Sequence, residues 1–474
     1  MESSLENTRD PSNLEIRIGT EYLFRSTQIQ NGPRTEPELD DHEDKRISNK
    51  RLDALRSARI RVGTILKTDN VSFLIGAGAS LDLGGMSLSC IPLEVEKLLL
   101  EKANADSDKG RSWIDTFYQT VSAICGAQFT FENRSQEFGN LDSTDTENDL
   151  PIDEIDLNLE DYLSHLHMWL AALGDFSDEI HVRASDTSEL RLDRSSLDNL
   201  IQGITSVLSL HLSGIASDGD EGLEVHRKFI KKILTRPLNL RRVNLFTLNY
   251  DVLLERGADA EGVILVDGFV GILKRVFRPE CYDLDFYFPA QTTEGQVHRF
   301  DRAIHLYKLH GSINWHRTDQ NWQNPYGLYA TYFDEKGSDA DVMIFPSPLK
   351  YGQALGLPYS ELFRRFGNAI AQPQSVLFSI GYGFGDEHVN AQIRQALAIP
   401  SFTLVIVDPF PSSSFVQQLE QLDDERVWIF KCKFQFFVDK ILPDLNSEEI
   451  SSRVMRTFRS LVDVTENPKE GLDD

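Results

Sequence analysis

Short apolar runs alternate with helical patterns in two parts of this chain, residues 49–91 and 241–440. The predicted strands are runs of three to six mostly apolar residues, at 71–75, 243–248, 263–266, 304–309, 343–345, 375–380, 403–407 and 427–430. Between them lie amphipathic segments such as 387–398, where Val389, Ile393 and Leu397 share one helical face. Apolar strands separated by helices are typical of a parallel sheet covered on both faces. The pattern therefore predicts an α/β fold, a Rossmann-like parallel sheet covered by helices.

A different pattern occupies residues 92–240, which we predict to be a large, mainly helical insertion. Helical periodicity is found at 93–103, 113–124, 159–173, 195–212 and 222–234. A strongly acidic stretch at 132–156 interrupts it and predicts a loop. Residues 1–48 are polar with two apolar patches, at 14–18 and 22–24, and read as a tail or as an arm that orders against a partner. Residues 441–474 are predicted to form a C-terminal helix and tail.

Composition narrows the function classes. The chain has 474 residues, 41% of them hydrophobic, which is enough for a sizeable core and more than one structural unit. Its net charge of −26 repels phosphates, so we expect no direct nucleic-acid binding. The sequence contains no run of about 20 apolar residues, so we predict no membrane span. Four widely spaced cysteines (Cys90, Cys125, Cys281 and Cys432) and a polar start favour a cytoplasmic protein without a disulfide framework.

Glycines follow the predicted strand 71–75. Gly76, Ala77, Gly78 and Ser80 lie where a parallel strand ends and a ligand can bind. Glycines there let backbone N–H groups approach a pyrophosphate, and a serine hydroxyl can add a further contact. No Lys-Ser or Lys-Thr pair follows, so the loop is not a P-loop. The alternative is a tight strand-to-helix turn without a ligand.

Polar side chains also follow the next two strong strands. Thr247, Asn249 and Asp251 would share one side if strand 243–248 continued. Otherwise Asn249 or Asp251 is the N-cap of a helix. His310 follows strand 304–309 and is placed to act as a general base, with a structural histidine as the alternative.

Two more strand ends complete the pattern. Gly381 opens a glycine-rich turn after 375–380, which either binds a ligand or only connects strand to helix. Asp408 ends strand 403–407 and either holds ribose hydroxyls or starts an ordinary turn. Each motif alone is weak. Together they predict a rim of polar and backbone groups around one crevice.

The ordered set GAGAS, TLNYD, HG, GYG and VD resembles the sirtuin family. The stretches TLNYD, KLHGSINW and GYGFGDEH look typical of bacterial sirtuin-like NAD-cleaving effectors of anti-phage defence. Two departures set the chain apart from protein-deacetylating sirtuins. It lacks their four-cysteine zinc module, and LDLGGMSLSCIP stands where they have a GIPDFR-like loop.

The resemblance implies an NAD hydrolase that releases ADP-ribose and nicotinamide, with NAD as substrate and no metal. Asn249 and His310 would be catalytic, Thr247 would help to bind the substrate, and Asp251 would orient the nicotinamide end. Residues 76–80 would hold the pyrophosphate, and Gly381 and Asp408 the adenosine side. The alternatives are a protein deacylase or ADP-ribosyltransferase, and a non-catalytic subunit that binds NAD or ADP-ribose.

Partners are also implied by the resemblance. Related effectors stay inactive until a sensor or an oligomer activates them. We therefore expect a homo-oligomer and a protein partner, such as a HerA-type hexameric ATPase or a short Argonaute.

Overall fold

A large, mostly parallel sheet organises the computed structural model, which describes residues 14–25, 41–83, 85, 91–105, 108–125, 129–135, 159–173, 179–183, 189–215, 219–272, 274–288, 299–331 and 358–446. Its nine strands lie side by side in the order β2 (Glu21–Arg25), β1 (Glu15–Ile18), β15 (Val427–Lys431), β14 (Thr403–Val407), β13 (Ser375–Ile380), β3 (Asn70–Ile75), β6 (Asn244–Thr247), β10 (Ala303–Lys308) and β7 (Ile264–Val266). Neighbouring strands from β15 to β7 are parallel. The predicted α/β, Rossmann-like class is confirmed.

Both faces of the central strands β3, β13 and β14 are buried, which is why these strands are mostly apolar runs. In β3, Phe73 points to one face, where its ring stacks on that of Phe378 with centroids 4.7 Å apart. The next residue, Leu74, points to the opposite face and joins a second apolar core.

The main helices are α1 (Asp41–Ile65), α2 (Ile91–Ala105), α3 (Lys109–Cys125), α4 (Leu159–Leu173), α5 (Arg194–Ile215), α6 (Gly219–Ile233), α7 (Leu253–Ala260), α8 (Tyr359–Ile370), α9 (Glu387–Leu397) and α10 (Ser414–Leu422). Short helical segments occur at 131–135, Ala77–Ala79, Leu81–Leu83, Pro279–Asp283, Phe434–Phe436 and Phe437–Ile441. Helices α1 and α6 contribute to the core on the Phe73 face. Helices α8, α9 and α10 contribute to the core on the other face.

Helix α6 packs against the large sheet, although the prediction places it in the helical insertion. We assigned 92–240 to the insertion, yet Phe229, Ile230 and Ile233 of α6 are buried in the same core as β3 and β6. The helix lies on the chain between these two parallel strands, which need a crossover connection. In packing, α6 therefore belongs with the Rossmann-like sheet.

Helices α2 to α5 pack around a core of their own. Leu99, Phe117, Leu163 and Leu200 are fully buried within it. This core also takes in Val252 and Ile313, which follow β6 and β10. The insertion contains a hairpin that was not predicted, β4 (Glu179–Arg183) with β5 (Glu189–Asp193).

The two apolar patches of the N-terminal arm pair with the chain's own sheet. Strand β1 pairs antiparallel with β15, and β2 pairs with β1. Arg17 anchors the hairpin through a 2.6 Å contact between its guanidinium and Asp423 Oδ1. The prediction left a tail or a partner-bound arm open, and the described part of the arm is instead an extension of the sheet.

A second, smaller sheet follows the order β11 (Trp315–Arg317), β12 (Leu328–Ala330), β9 (Arg275–Phe277) and β8 (Phe269–Val270). The predicted strand 343–345, most of the predicted loop 132–156 and residues from 447 onward lie outside the described residues. Within the described part of the chain, no helix has both the length and the apolar character needed to cross a membrane.

Candidate functional site

The carboxyl ends of five neighbouring parallel strands, β10, β6, β3, β13 and β14, meet at one edge of the sheet. If the short edge strand β7 is left out, β3, β6, β10, β13, β14 and β15 are first to sixth along the chain. In the sheet these six strands lie in the order third, second, first, fourth, fifth, sixth. This is the strand order of dinucleotide-binding sheets, in which ligands bind where the order reverses. The reversal falls between β3 and β13, and so between residues 76–80 and the turn that begins at Gly381.

Three glycines let these two loops touch backbone to backbone. A Cβ added to Gly76 would lie 2.5 Å from the carbonyl oxygen of Gly381, and a Cβ added to Gly78 would lie 2.7 Å from the Cα of Gly381. Gly381 has a φ of +63°, and a Cβ there would lie 2.6 Å from the nitrogen of Ala79. A side chain at any of the three would force the loops apart. The glycines are thus required by loop packing before any ligand is considered.

Most backbone donors of residues 76–80 are already used within the protein. The N–H groups of Gly76 and Gly78 each donate at 2.9 Å to carbonyls at the end of β13 and in the turn after it. Those of Ala79 and Ser80 donate to carbonyls of their own loop, and the buried Ser80 hydroxyl donates to Ala77. The Ala77 N–H remains as the donor in this loop that no described residue uses. Within the described residues the loop therefore offers a ligand one unused amide, where the sequence predicted several backbone N–H groups.

Asn249 is joined directly to this loop. The Thr247 hydroxyl donates to the carbonyl of Ile75 at 3.1 Å and accepts from the Asn249 N–H at 3.0 Å. The Asn249 side-chain NH₂ donates to the Gly76 carbonyl at 3.1 Å and lies 3.4 Å from Ser80 Oγ. The carboxamide oxygen of the half-buried Asn249 accepts no hydrogen bond from the described residues. It is the side of Asn249 that a ligand can engage.

Asp251 has a different environment from Thr247 and Asn249. It is 6% exposed, and its Oδ1 accepts from the N–H of Leu253 at 3.1 Å, at the start of α7. The N-cap of α7 is Val252, so Asp251 lies one residue before the cap and is not the N-cap that the alternative predicted. Its role towards the nicotinamide end stays a prediction.

His310 forms a buried pair with an aspartate. Its Nε2 lies 2.9 Å from Oδ2 of Asp386, and the two side chains are 6% and 8% exposed. The second carboxylate oxygen, Oδ1, accepts from the N–H groups of His388 at 2.8 Å and Val389 at 3.3 Å. Asp386 is therefore both the N-cap of α9 and the partner that orients the His310 ring.

Asp386 is the site residue that sequence reasoning missed. In the sequence it follows the glycine-rich turn, where an aspartate is suited to cap the next helix, and this capping is observed. Its position is fixed further by Tyr382, whose hydroxyl accepts from the Asp386 N–H at 3.1 Å and lies 3.1 Å from Oδ1 of Asn390. The available signal was the stretch GYGFGDEH at the end of β13, because such a strand end faces the end of β10 across the same edge.

Asp408 lies at the same edge, at the end of β14. Its backbone N–H donates to Phe430 at 3.1 Å, and its Oδ1 accepts from the N–H of Phe410 at 2.7 Å. Burial raises the pKa of the Asp408 carboxyl above its ordinary value, and the Phe410 hydrogen bond opposes this. The side chain accepts a hydrogen bond within a turn, as the alternative predicted, and no described residue hydrogen-bonds its second oxygen.

These residues fall mostly within a segment that matches a known family. Residues 243–428 match the family model described as SIR2-like domain. No curated protein matches the chain. The match supports the resemblance to sirtuin-like proteins, and a SIR2-like domain is consistent with an enzyme that uses NAD.

The SIR2-like match begins just before β6 and ends within β15. It includes Asn249, His310, Asp386 and Asp408, but not residues 76–80. Those residues come to the site through the sheet, because β3 lies between β6 and β13. Within the described ranges, no three His, Cys, Asp or Glu side chains are grouped in a way that could hold a metal ion.

Proposed function

We propose that this protein hydrolyses NAD to ADP-ribose and nicotinamide. The observation that carries the proposal is the His310–Asp386 pair, which lies at the same sheet edge as Asn249 and beside the reversal of strand order. A dinucleotide placed at that reversal would have a histidine base and a carboxamide within one crevice.

The reaction breaks the bond between the nicotinamide nitrogen and C1′ of its ribose. Nicotinamide is cationic in NAD and leaves with the bonding electron pair as a neutral molecule, so the leaving group needs no proton. Water attacks C1′ as positive charge develops on the ribose, in the manner of glycoside cleavage. The water gives up one proton, and the products are ADP-ribose, nicotinamide and that proton.

His310 would accept this proton or polarise a ribose hydroxyl. The Asp386 carboxylate can only accept a hydrogen bond, so it favours the imidazole form with the proton on Nε2. The lone pair of that form is on Nδ1, which is therefore the basic atom. Asp386 also stabilises the imidazolium that forms when the proton is taken.

Asn249 would position the water or the ribose through its carboxamide oxygen. Its NH₂ group donates to Gly76, and this fixes which end of the carboxamide faces the crevice. The oxygen can accept a hydrogen bond from the attacking water or from a ribose hydroxyl. Residues 76–80 would lie along the pyrophosphate, with Thr247 supporting them, and Gly381 and Asp408 would lie towards the adenosine.

The test is incubation of the purified chain with NAD as the sole substrate, in each oligomeric state and with the products of neighbouring genes. Nicotinamide and ADP-ribose are measured by chromatography. We expect both products in equal amounts from the wild type, and strong losses in Asn249→Ala and His310→Ala. Activity unchanged in both variants would overturn the assignment. Nicotinamide release only with an acylated or acceptor protein would indicate a deacylase or transferase. Tight NAD binding without turnover in every assembly state would indicate a regulator.

We further propose that the hydrolase is an effector that depletes NAD in anti-phage defence, active as an oligomer with a protein partner. A HerA-type hexameric ATPase is the first candidate partner, and a short Argonaute the second. The proposal draws support from the motif resemblance. Its test is the NAD assay on separated oligomeric fractions, with and without the products of neighbouring genes, where equal activity in all samples would oppose it.

A further inference from the structure

Lys308 is a buried cation beneath the turn that follows β6. It is the last residue of β10, two positions before His310, and is 3% exposed. Its ammonium donates to the carbonyl of Asp251, lies 3.4 Å from that of Tyr250, and lies 2.9 Å from Oε1 of Glu255. The charge is thus held by two backbone carbonyls and one carboxylate.

The Tyr250 carbonyl joins the turns that carry the two proposed catalytic residues. Besides the ammonium, it accepts from the N–H of Ile313 at 3.2 Å and lies 3.3 Å from the hydroxyl of the buried Ser312. These donors come from both sides of His310 in the chain. Asn249 directly precedes Tyr250, so this carbonyl links the placement of Asn249 to that of His310.

The pair of Lys308 and Glu255 is not arranged for stability alone. Burial raises the pKa of Glu255 although Lys308 opposes this, and no residue in the described part of the chain hydrogen-bonds Oε2 of Glu255. A buried ion pair with an unsatisfied oxygen is often no more stabilising than an apolar pair of the same size. An apolar pair could not donate hydrogen bonds to the carbonyls of residues 250 and 251.

We propose that Lys308 is a positioning residue for the cleavage of NAD. Its ammonium holds the Tyr250 and Asp251 carbonyls and so keeps the Asn249 carboxamide at a fixed place relative to His310. This inference rests on the proposed function. Lys308 acts through the turn, since its burial keeps it from touching a substrate.

The test compares Lys308→Met with a matched control, Lys232→Met. Lys232 is half-buried where Lys308 is fully buried, and its ammonium also donates to two backbone carbonyls, those of Val438 and Leu442. Both variants lose an ammonium and its two carbonyl contacts. Only the first should affect the reaction.

We expect Lys308→Met to lower kcat about 100-fold, the size of effect that a small misplacement of a reacting group can cause. The KM for NAD should change little, because the loops that bind the dinucleotide are intact. Lys232→Met should retain the wild-type kcat. Hydrogen exchange of the peptide covering residues 246–253, measured by mass spectrometry, should speed up in Lys308→Met only.

The exchange measurement separates failure of this inference from failure of the proposed function. If the wild type does not cleave NAD in any assembly state, the hydrolase proposal fails and the positioning role fails with it. Unchanged hydrogen exchange in Lys308→Met would show that the ammonium does not hold the Tyr250 and Asp251 carbonyls in place. If the wild type cleaves NAD and Lys308→Met turns over as fast as Lys232→Met, the positioning role alone is overturned. Should Lys308→Met not fold, Ser312→Ala removes another donor to the same carbonyl without a charge change. Full turnover in that variant would equally overturn the inference.

Discussion

Replacing Asp386 with Asn separates the two roles of this side chain. Oδ1 caps α9 by accepting from the N–H groups of His388 and Val389, while Oδ2 faces Nε2 of His310 at 2.9 Å. Asn can keep the cap, because its carbonyl oxygen serves as well as a carboxylate at this position. Its NH₂ group then replaces Oδ2. A donor facing Nε2 requires that nitrogen to accept, so the imidazole proton moves to Nδ1.

The magnitude follows from the role of the base. With its proton on Nδ1, His310 cannot accept a proton there from the attacking water. A general base contributes about 10²- to 10⁴-fold to a rate. We expect Asp386→Asn to lower kcat by at least about 100-fold, or roughly 2.7 kcal/mol of activation free energy. The KM for NAD and the free energy of unfolding should change little, because the cap is kept.

The assay is nicotinamide release at saturating NAD, with urea unfolding measured on the same samples. Ser413→Ala is the matched control. Ser413 caps α10 by accepting from the N–H of Val416 at 3.3 Å, and its loss should cost about 1 kcal/mol of unfolding free energy without changing kcat. The reasoning is refuted if Asp386→Asn is folded and turns over NAD as fast as the wild type.

Three further predictions concern Gly381, His305 and Arg134. Gly381→Ala should lower the free energy of unfolding by roughly 1–3 kcal/mol and weaken NAD binding in a titration, because alanine is strained at a φ of +63° and its Cβ would collide with the facing loop. Gly383→Ala is the control and should do neither, because a Cβ there meets nothing within 4 Å. Burial lowers the pKa of His305 to about 4, so the unfolded chain binds more protons below pH 6.5. The free energy of unfolding should therefore fall by up to roughly 3 kcal/mol as the pH drops from 6.5 to 4, and His305→Gln should flatten this dependence in urea titrations; an equally steep dependence in the variant would contradict the assignment. Arg134→Met should cost about 3–5 kcal/mol of unfolding free energy, because it leaves the fully buried carboxylate of Glu96 without the guanidinium that holds it at 2.6 Å; a midpoint equal to the wild type would show that the pair is unimportant.

The parts of the fold that depend on local pattern could be predicted from the sequence. The bounds of β13 and β14 coincide with the predicted runs 375–380 and 403–407, because both faces of these strands are buried and a glycine or an aspartate follows each. The bounds of α4 coincide with the predicted helix 159–173. The edge at which the polar residues meet also followed, since parallel strands place their carboxyl ends together.

The parts that depend on contacts between distant segments could not be predicted. Strand β1 pairs with β15 near the other end of the chain, and nothing in the arm's own sequence identifies that partner. Asp386 and His310 are 76 residues apart, so a capping residue gave no sign of its second role. The Gly76 and Gly78 amides donate to the carbonyls of Ile380 and Gly381, which lie 304 and 303 residues further along the chain.

The central claim is that NAD is hydrolysed beside His310 and Asn249. Its most direct test is the time course of nicotinamide and ADP-ribose formation from NAD alone, in the oligomeric state with the highest activity. We predict equimolar release by the wild type and release about 100-fold slower or more in His310→Ala, with the variant still folded and still binding NAD. Equal rates in the two proteins would contradict it.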